Sequence, residues 1–382
     1  MSETEDNLDF NALLKIMVQK NASDMFITVG LPPSLKIHGK LSHALPMSMS
    51  PKQVRKLAYQ LMNDEQQQEF NDSQECNFAL AAQGIGRFRV NVFQQKHHIG
   101  MVLRKIETTI PTIEELQLPS VITDLSMAKR GLVIIVGATG SGKSTTLAAM
   151  IGHRNKNSSG HIISIEDPIE YIHEHNGCVV TQREVGVDTQ SFESALKNTL
   201  RQAPDVILIG EIRTRETMQH AITFAETGHL CLATLHANNA NQALDRIVNF
   251  FSDDRRNQLL LDLSLNLKAI VAQQLIPTPD RNGRCLVVEI LLNTPLASKL
   301  IHRGEFHKLK DLMKRSNPLG MRTFDQALFR LYKKGQITYE DALHHADAPN
   351  ELRLMIKLGE DGGLDKLQST LDGITLVDRR DI

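Results

Sequence analysis

Between Leu132 and Leu292 the apolar positions come in short continuous runs, LVIIV, HIISIE, VILIG, LCLATL and CLVVEIL, each set apart from the next by a helical stretch. Runs of this length without polar alternation read as strands buried on both faces, and their alternation with helices predicts a parallel sheet in an α/β architecture. The pattern upstream is different. A helix-like segment, LDFNALLKIMVQK, precedes MFITVG, a turn at Pro32 and Pro33, and LKIHG, which together suggest a hairpin. Ser50 and Pro51 set an N-cap and a first-position proline at the start of a second helix. CNFALAA, GRFRVNVF and IGMVLRKI then follow with short links that favour an antiparallel meander. Four segments result: a small α+β unit over 1–106, a proline-bearing connection over 107–130, an α/β unit over 131–350 with a helical last part, and a tail over 351–382. In the helical part TFDQALFRLYKKG stops at Gly335, and Thr338 caps the next helix. From Glu360 on, six acids stand against three bases, so the end of the chain reads as a solvated terminus, with a docking segment as the alternative.

The first of the apolar runs leads into chemistry. GLVIIVGATGSGKST, Gly131 to Thr145, fits G-x-x-x-x-G-K-[ST] through Gly137, Gly142, Lys143 and Ser144, in the strand, loop and helix context that a P-loop requires. Gly137, Gly140 and Gly142 let backbone N–H groups converge on phosphate oxygens, while the helix that follows points its positive end at the same place. The phosphate cradle is thus Gly137, Ala138, Thr139, Gly140, Ser141, Gly142, Lys143, Ser144 and Thr145. Lys143 neutralises the β- and γ-phosphates and Ser144 ligates Mg²⁺ in this reading. The plain alternative is a buried strand followed by an ordinary glycine turn. Nucleotide sites of such folds lie at the carboxyl ends of strands. Glu166 and Asp167 end the second run, Glu211 follows the third, and Thr234 and His236 close the fourth, so four strands deliver polar groups to one edge.

Charge and composition narrow the class. With 382 residues and 41% hydrophobic content the chain can bury a sizeable core and suggests about two domains. Its 43 basic and 44 acidic residues give a net charge of −1, which supplies no broad attraction to nucleic acid or anionic lipid. The start MSETEDNLDF is not of signal-peptide type, and no apolar run approaches the roughly 18 residues of a membrane span. Cys76, Cys178, Cys231 and Cys285 lie far apart without a C-x-x-C pair, which reads as separate reduced thiols rather than a zinc site or a disulfide framework. His97, His98, His173 and His175 have no motif around them and read as surface residues.

IEDPIE (Ile165 to Glu170), VILIGEIR (Val206 to Arg213) and ETGHLCLATLH (Glu226 to His236) follow the P-loop in that order. They resemble the Asp box, Walker B and His box of the secretion and pilus motor ATPases, and the resemblance extends over nearly the whole chain. The longer N-terminal region and four-cysteine zinc knuckle of the assembly ATPases are not present in this sequence, so the chain looks like a type IV pilus retraction ATPase of the PilT/PilU twitching-motility group. After Asn293, Thr294 and Pro295 it reads LASKLIHRGEF where PilT-type members carry AIRNLIRE, which sets it nearer the accessory, PilU-type motors.

The resemblance implies a RecA-like P-loop ATPase domain with a parallel-rich sheet, preceded by a small α+β PAS-like domain, and a Mg-dependent turnover of ATP. Glu166 resembles the catalytic glutamate that activates water. Glu211 resembles the Walker B acid near Mg²⁺; because Gly210 fills the usual preceding acidic position, the metal contact runs through water, and the two glutamates could exchange roles. His229 and His236 resemble the His-box pair, with His236 sensing the γ-phosphate. Arg87 and Arg104 resemble arginines that reach a neighbouring subunit's nucleotide; the plain alternative for Arg87 and Arg89, at period two, is one basic sheet face. A cytoplasmic homohexamer follows, peripheral to the inner membrane through the pilus machinery, with a paralogous retraction ATPase and a platform protein as partners and no nucleic acid. Two other functions remain in view: a nucleotide-gated subunit that modulates a paralogous motor, and a RecA-like nucleic-acid motor, against which the balanced charge speaks.

Overall fold

The computed structural model describes residues 9–37, 39–106 and 109–360. They divide into two units, one within residues 9–110, 168–174 and 182–190, the other within residues 111–167, 175–181 and 191–360. Among the described residues no helix is long and apolar enough to cross a membrane.

The first unit is built on an antiparallel sheet of six strands: β1 (Asp24–Ile27), β2 (Ser34–Ile37), β3 (Lys40–His43), β4 (Glu75–Ala82), β5 (Gly86–Gln95) and β6 (His98–Ile106), in the order β3-β2-β1-β6-β5-β4. Alternation sets its faces. Phe88, Val90 and Val92 of β5 turn inward, and Arg87, Arg89 and Asn91 turn outward, as a period of two demands. The inward set joins Leu13, Leu14 and Met17 of α1 (Phe10–Gln19), Val54 and Leu57 of α2 (Pro51–Leu61) and Phe70 of α3 (Asp64–Ser73) in one apolar cluster. Ser50 and Gln53 close a capping box at the start of α2, with Pro51 at the first helical position.

The second sheet has seven strands, of which the second unit holds all but the last three residues of β9: β7 (Gly131–Val136), β8 (Gly160–Glu166), β9 (Cys178–Glu184), β10 (Val206–Ile209), β11 (Leu230–Leu235), β12 (Leu267–Pro277) and β13 (Arg284–Leu292), in the order β13-β12-β7-β11-β10-β8-β9. From β12 through β8 neighbouring strands run parallel. Every residue of β7, β10 and β11 is buried, which requires cover on both faces and accounts for their unbroken apolar runs. The cover comes from α4 (Val121–Ser126), α5 (Lys143–Asn157), α6 (Phe192–Thr199), α7 (Arg215–Glu226), α8 (Ala240–Asn249) and α9 (Arg256–Asn266). Five more helices follow: α10 (Pro295–His302), α11 (Leu309–Arg315), α12 (Phe324–Lys333), α13 (Tyr339–His344) and α14 (Pro349–Glu360).

Several expectations need correction. CLVVEIL is strand β13, but it runs antiparallel to β12, because only a short turn through Thr278 and Gly283 joins them. Strand β12 does not stand out in the sequence, since the polar pair Gln273 and Gln274 interrupts its apolar run. The connection over 107–130 is not a bare tether: Ile113, Leu118, Ile122 and Leu125 are buried in the core cluster of the second unit. Nor does the tail start at residue 351, for α14 runs to Glu360 with Leu352 and Ile356 buried. The acidic stretch beyond it lies outside the described residues.

Candidate nucleotide site

The P-loop leaves the buried end of β7 and becomes α5 at Lys143. Gly140 (φ +77°) and Gly142 (φ +87°) take left-handed backbone, which curls the amides of the loop into a concave nest. Gly137 is required by space: a Cβ there would collide with Ser141 Oγ and lie 2.6 Å from the Gln273 carbonyl oxygen. Lys143 Nζ donates to the Gly137 and Ala138 carbonyls, each at 2.9 Å, so its charge is held over the mouth of the loop. Ser144 and Thr145 are half-buried in the first turn of α5, and Ala138, Thr139 and Gly140 are exposed. The first turn of α5 is pinned from β12, where buried Gln273 donates from Nε2 to Thr146 Oγ1 at 2.7 Å.

The neighbouring strand ends supply the charged groups. Glu211, after β10, accepts from Arg213 Nε (2.8 Å) and Nη2 (2.7 Å) on one carboxylate oxygen, and its other oxygen lies 3.0 Å from His236 Nε2. That hydrogen bond to Glu211 holds the Arg213 guanidinium still more firmly protonated than usual. Arg213 Nη1 also comes within 3.7 Å of Asp167, which follows Glu166 at the end of β8. Gly210 sits tight against β8: a Cβ there would stand 3.0 Å from the Glu166 Cα, so any larger residue would push the neighbouring strand end back. Thr234 Oγ1 donates to the Gly210 carbonyl and Arg246 Nη1 donates to the His236 carbonyl at 2.8 Å, so the turn carrying His236 is held from two sides.

Two cavities adjoin this edge. A cleft of about 600 Å³ lies between Ala138 and Thr139 of the loop and His236, Gln242 and Arg246. A cavity of about 880 Å³ opens on the other flank, beside Gly142 and Thr145, walled by Leu275, Leu286, Arg322 and Arg330. Its size suits a small organic ligand. Buried Arg322 Nε has no hydrogen-bond partner among the described residues, an unspent donor in this wall. The sequence reading missed Arg213, Arg246, Gln273 and the cavity residues. Gln273 alone carried a signal, as a polar residue inside an apolar run.

Not every expected residue joins the group. His229 precedes β11 while His236 follows it, so the six-residue strand separates them by roughly 20 Å, at about 3.3 Å per residue. His229 therefore lies at the opposite edge of the sheet, where Nδ1 contacts Thr227 Oγ1 at 3.0 Å. Arg87 and Arg104 belong to the first unit, on the outward face of its sheet, with Arg89 directly opposite Arg104. Arg87 is exposed. Arg104 donates from Nε at 2.9 Å to buried Asp24. His173 is no simple surface residue: it is half-buried, and loss of solvent brings its pKa down to about 4.

Residues 6–344 match the family described as "Type II/IV secretion system protein". The chain is 65% identical over 369 residues to the "Type IV pilus ATPase PilU" of Pseudomonas aeruginosa, with 97% of each chain covered. It is 40% identical over 342 residues to the "Type IV pilus retractation ATPase PilT" of the same organism, covering 90% of this chain and 99% of that one. A crystal structure of the pilus retraction motor PilT with bound ADP superposes with a TM-score of 0.85 at 39% identity, covering 91% of this chain and 99% of the other. This chain belongs to the type II/IV secretion system protein family, on the branch of the type IV pilus ATPases.

Proposed function

We propose that the chain hydrolyses ATP at the edge formed by β7, β8, β10 and β11, and that turnover drives retraction of a type IV pilus. The observation that carries this reading is the convergence of the P-loop with Glu166, Glu211 and His236 on adjacent strand ends of one sheet. Phosphoryl transfer to water needs charge neutralisation and a positioned nucleophile rather than covalent chemistry. Lys143 and the loop amides bind the phosphates. His236 is turned by Glu211 toward the phosphate side. Both oxygens of Glu211 are engaged by Arg213 and His236, which favours Glu166 as the group that orients and deprotonates the attacking water. The larger cavity beside Thr145 takes the base and ribose.

The donor set also suits Mg²⁺. A hydroxyl on Ser144 and the carboxylate of Glu211, reached through water, are hard oxygen donors of the kind this ion prefers. Among the described residues no group of three or more His, Cys, Asp and Glu side chains could hold a metal, so phosphate oxygens and water would complete the shell. When bound, the ion screens the charge that builds on the phosphates.

The assembly in this reading is a homohexameric ring in which Arg87 serves a neighbouring site in trans. The ring works on an inner-membrane platform protein, beside a paralogous retraction ATPase, as an accessory motor of the PilU kind. The antiparallel sheet of the first unit supports a PAS-like assignment. Two substitutions test the chemistry. Lys143→Ala should abolish productive turnover, whereas Glu166→Gln should bind ATP normally and slow hydrolysis by about 10²–10⁴-fold. Equal loss of affinity in both would contradict the division of roles. Retraction measured with and without the paralogue tests the cellular part: no change on removing this chain in either background would overturn it.

A further inference from the structure

Strand β13 carries one acid in its apolar run, Glu289, which is only 2% exposed. Both carboxylate oxygens are used, and both by backbone amides. Oε1 accepts from Ala240 N at 2.9 Å and Oε2 accepts from Phe324 N at 3.3 Å. Ala240 opens α8 and Phe324 opens α12, so one carboxylate answers the positive ends of two helices. Each helix already has an ordinary cap: Asn239 accepts from Gln242 N and Thr323 from Gln326 N. What Glu289 adds is a rigid connection between them.

The two helices serve different walls of the site. The turn before α8 carries His236, and Arg246 within α8 holds the His236 carbonyl. Helix α12 lends Ala327, Arg330 and Leu331 to the cavity beside Thr145, and Lys334 at its C-cap adds to the same wall. Neighbouring charges extend the arrangement into the last helices. Asp325 on α12 accepts from the amides of Asp347 (2.9 Å) and Ala348 (3.4 Å), and Lys310 on α11 pairs with Asp347 at 2.7 Å.

We infer that Glu289 is a positioning residue for ATP turnover: it clamps the helix behind His236 to the helix that walls the adjoining cavity, so that the phosphate-side turn follows the C-terminal helices. An amide side chain cannot copy this. Glutamine accepts from one amide and turns an N–H toward the other. The inference rests on the reading of the site as an ATP-hydrolysing one.

The test is a double-mutant cycle in the full chain, with kcat and KM for ATP measured for wild type, Glu289→Gln, His236→Ala and the double variant. Glu289→Gln should lower kcat about tenfold and move KM less than about threefold; in the His236→Ala background it should change kcat less than about twofold, because the clamp acts through that side chain. Equal losses in both backgrounds, or an unchanged kcat in folded Glu289→Gln, overturn the inference. Should Glu289→Gln fail to fold, Glu289→Asp keeps the charge one methylene short, and its smaller loss must vanish in the same way. Amide exchange separates this inference from the function it rests on. Whatever the turnover, Glu289→Gln should speed exchange in the first turns of α8 and α12 together, and unchanged protection overturns the clamp. Hydrolysis by the wild type that does not depend on Lys143 would sink the ATPase reading alone.

Discussion

Glu289 and Asp24 are both buried acids, held by different partners. Glu289 loses solvent on every side, and that burial, reinforced by Asp347 and opposed by the two helix amides and Lys310, pushes its pKa up to about 7 from an ordinary 4.5. The folded chain then holds the proton more tightly than the unfolded one. Its contribution is full below about pH 4.5 and is lost as the pH rises through 7. Thermal midpoints of wild type and Glu289→Gln, compared between pH 5 and pH 8, should therefore shift in favour of the glutamine variant as pH rises. A gap that stays constant would show that Glu289 does not titrate in this range. Asp24, by contrast, keeps a direct cation in Arg104 at 2.9 Å and a hydroxyl in Ser23 at 2.8 Å. Arg104→Ala leaves that carboxylate short of a partner and should lower urea stability by about 1–2 kcal/mol. An unchanged denaturation midpoint would reduce the pair to a surface contact.

At the scale of elements, α14 is the piece whose extent the pattern of residues conceals. PNELRLMIKLGE mixes apolar residues with polar and charged ones, but among its described residues only Leu352 and Ile356, one turn apart, are buried, the spacing of a helix laid down by one narrow apolar stripe. A chain ending before Pro349 should lose at least about 3 kcal/mol of stability, since two well-buried aliphatic side chains go with the helix. A chain ending after Glu360 should keep the thermal midpoint and basal ATPase rate of the full protein. A fall in the midpoint of that second variant would put the acidic stretch into the core, against its low apolar density. The P-loop shows the complementary case, where sequence and element agree. Gly137, Gly140 and Gly142 were legible as a phosphate cradle because backbone crowding and left-handed φ leave few other residues possible.

For the whole molecule, the proposed ring makes a strict demand: each active site would draw on two chains. If Arg87 acts in trans, mixing inactive Arg87→Ala protein with inactive Lys143→Ala protein should restore part of the turnover, because some neighbours then combine an intact arginine with an intact P-loop. Confirmed mixed assemblies without any recovery would remove Arg87 from the site. By itself the sequence determined the α/β class, the P-loop, and the presence of Glu166, Glu211 and His236 at strand ends, because buried strands and phosphate-binding turns impose local residue patterns that survive without long-range context. Only the tertiary structure decided the rest. His229 and His236 are close in sequence and look like a pair, but an extended strand carries them to opposite edges of the sheet. Strand β13 reads like its parallel neighbours, but its short link to β12 reverses it. Gln273 meets Thr146 and Glu289 meets Ala240 and Phe324 across wide gaps in the chain, and a hydrogen bond between distant residues leaves no period or spacing in the sequence from which to read it.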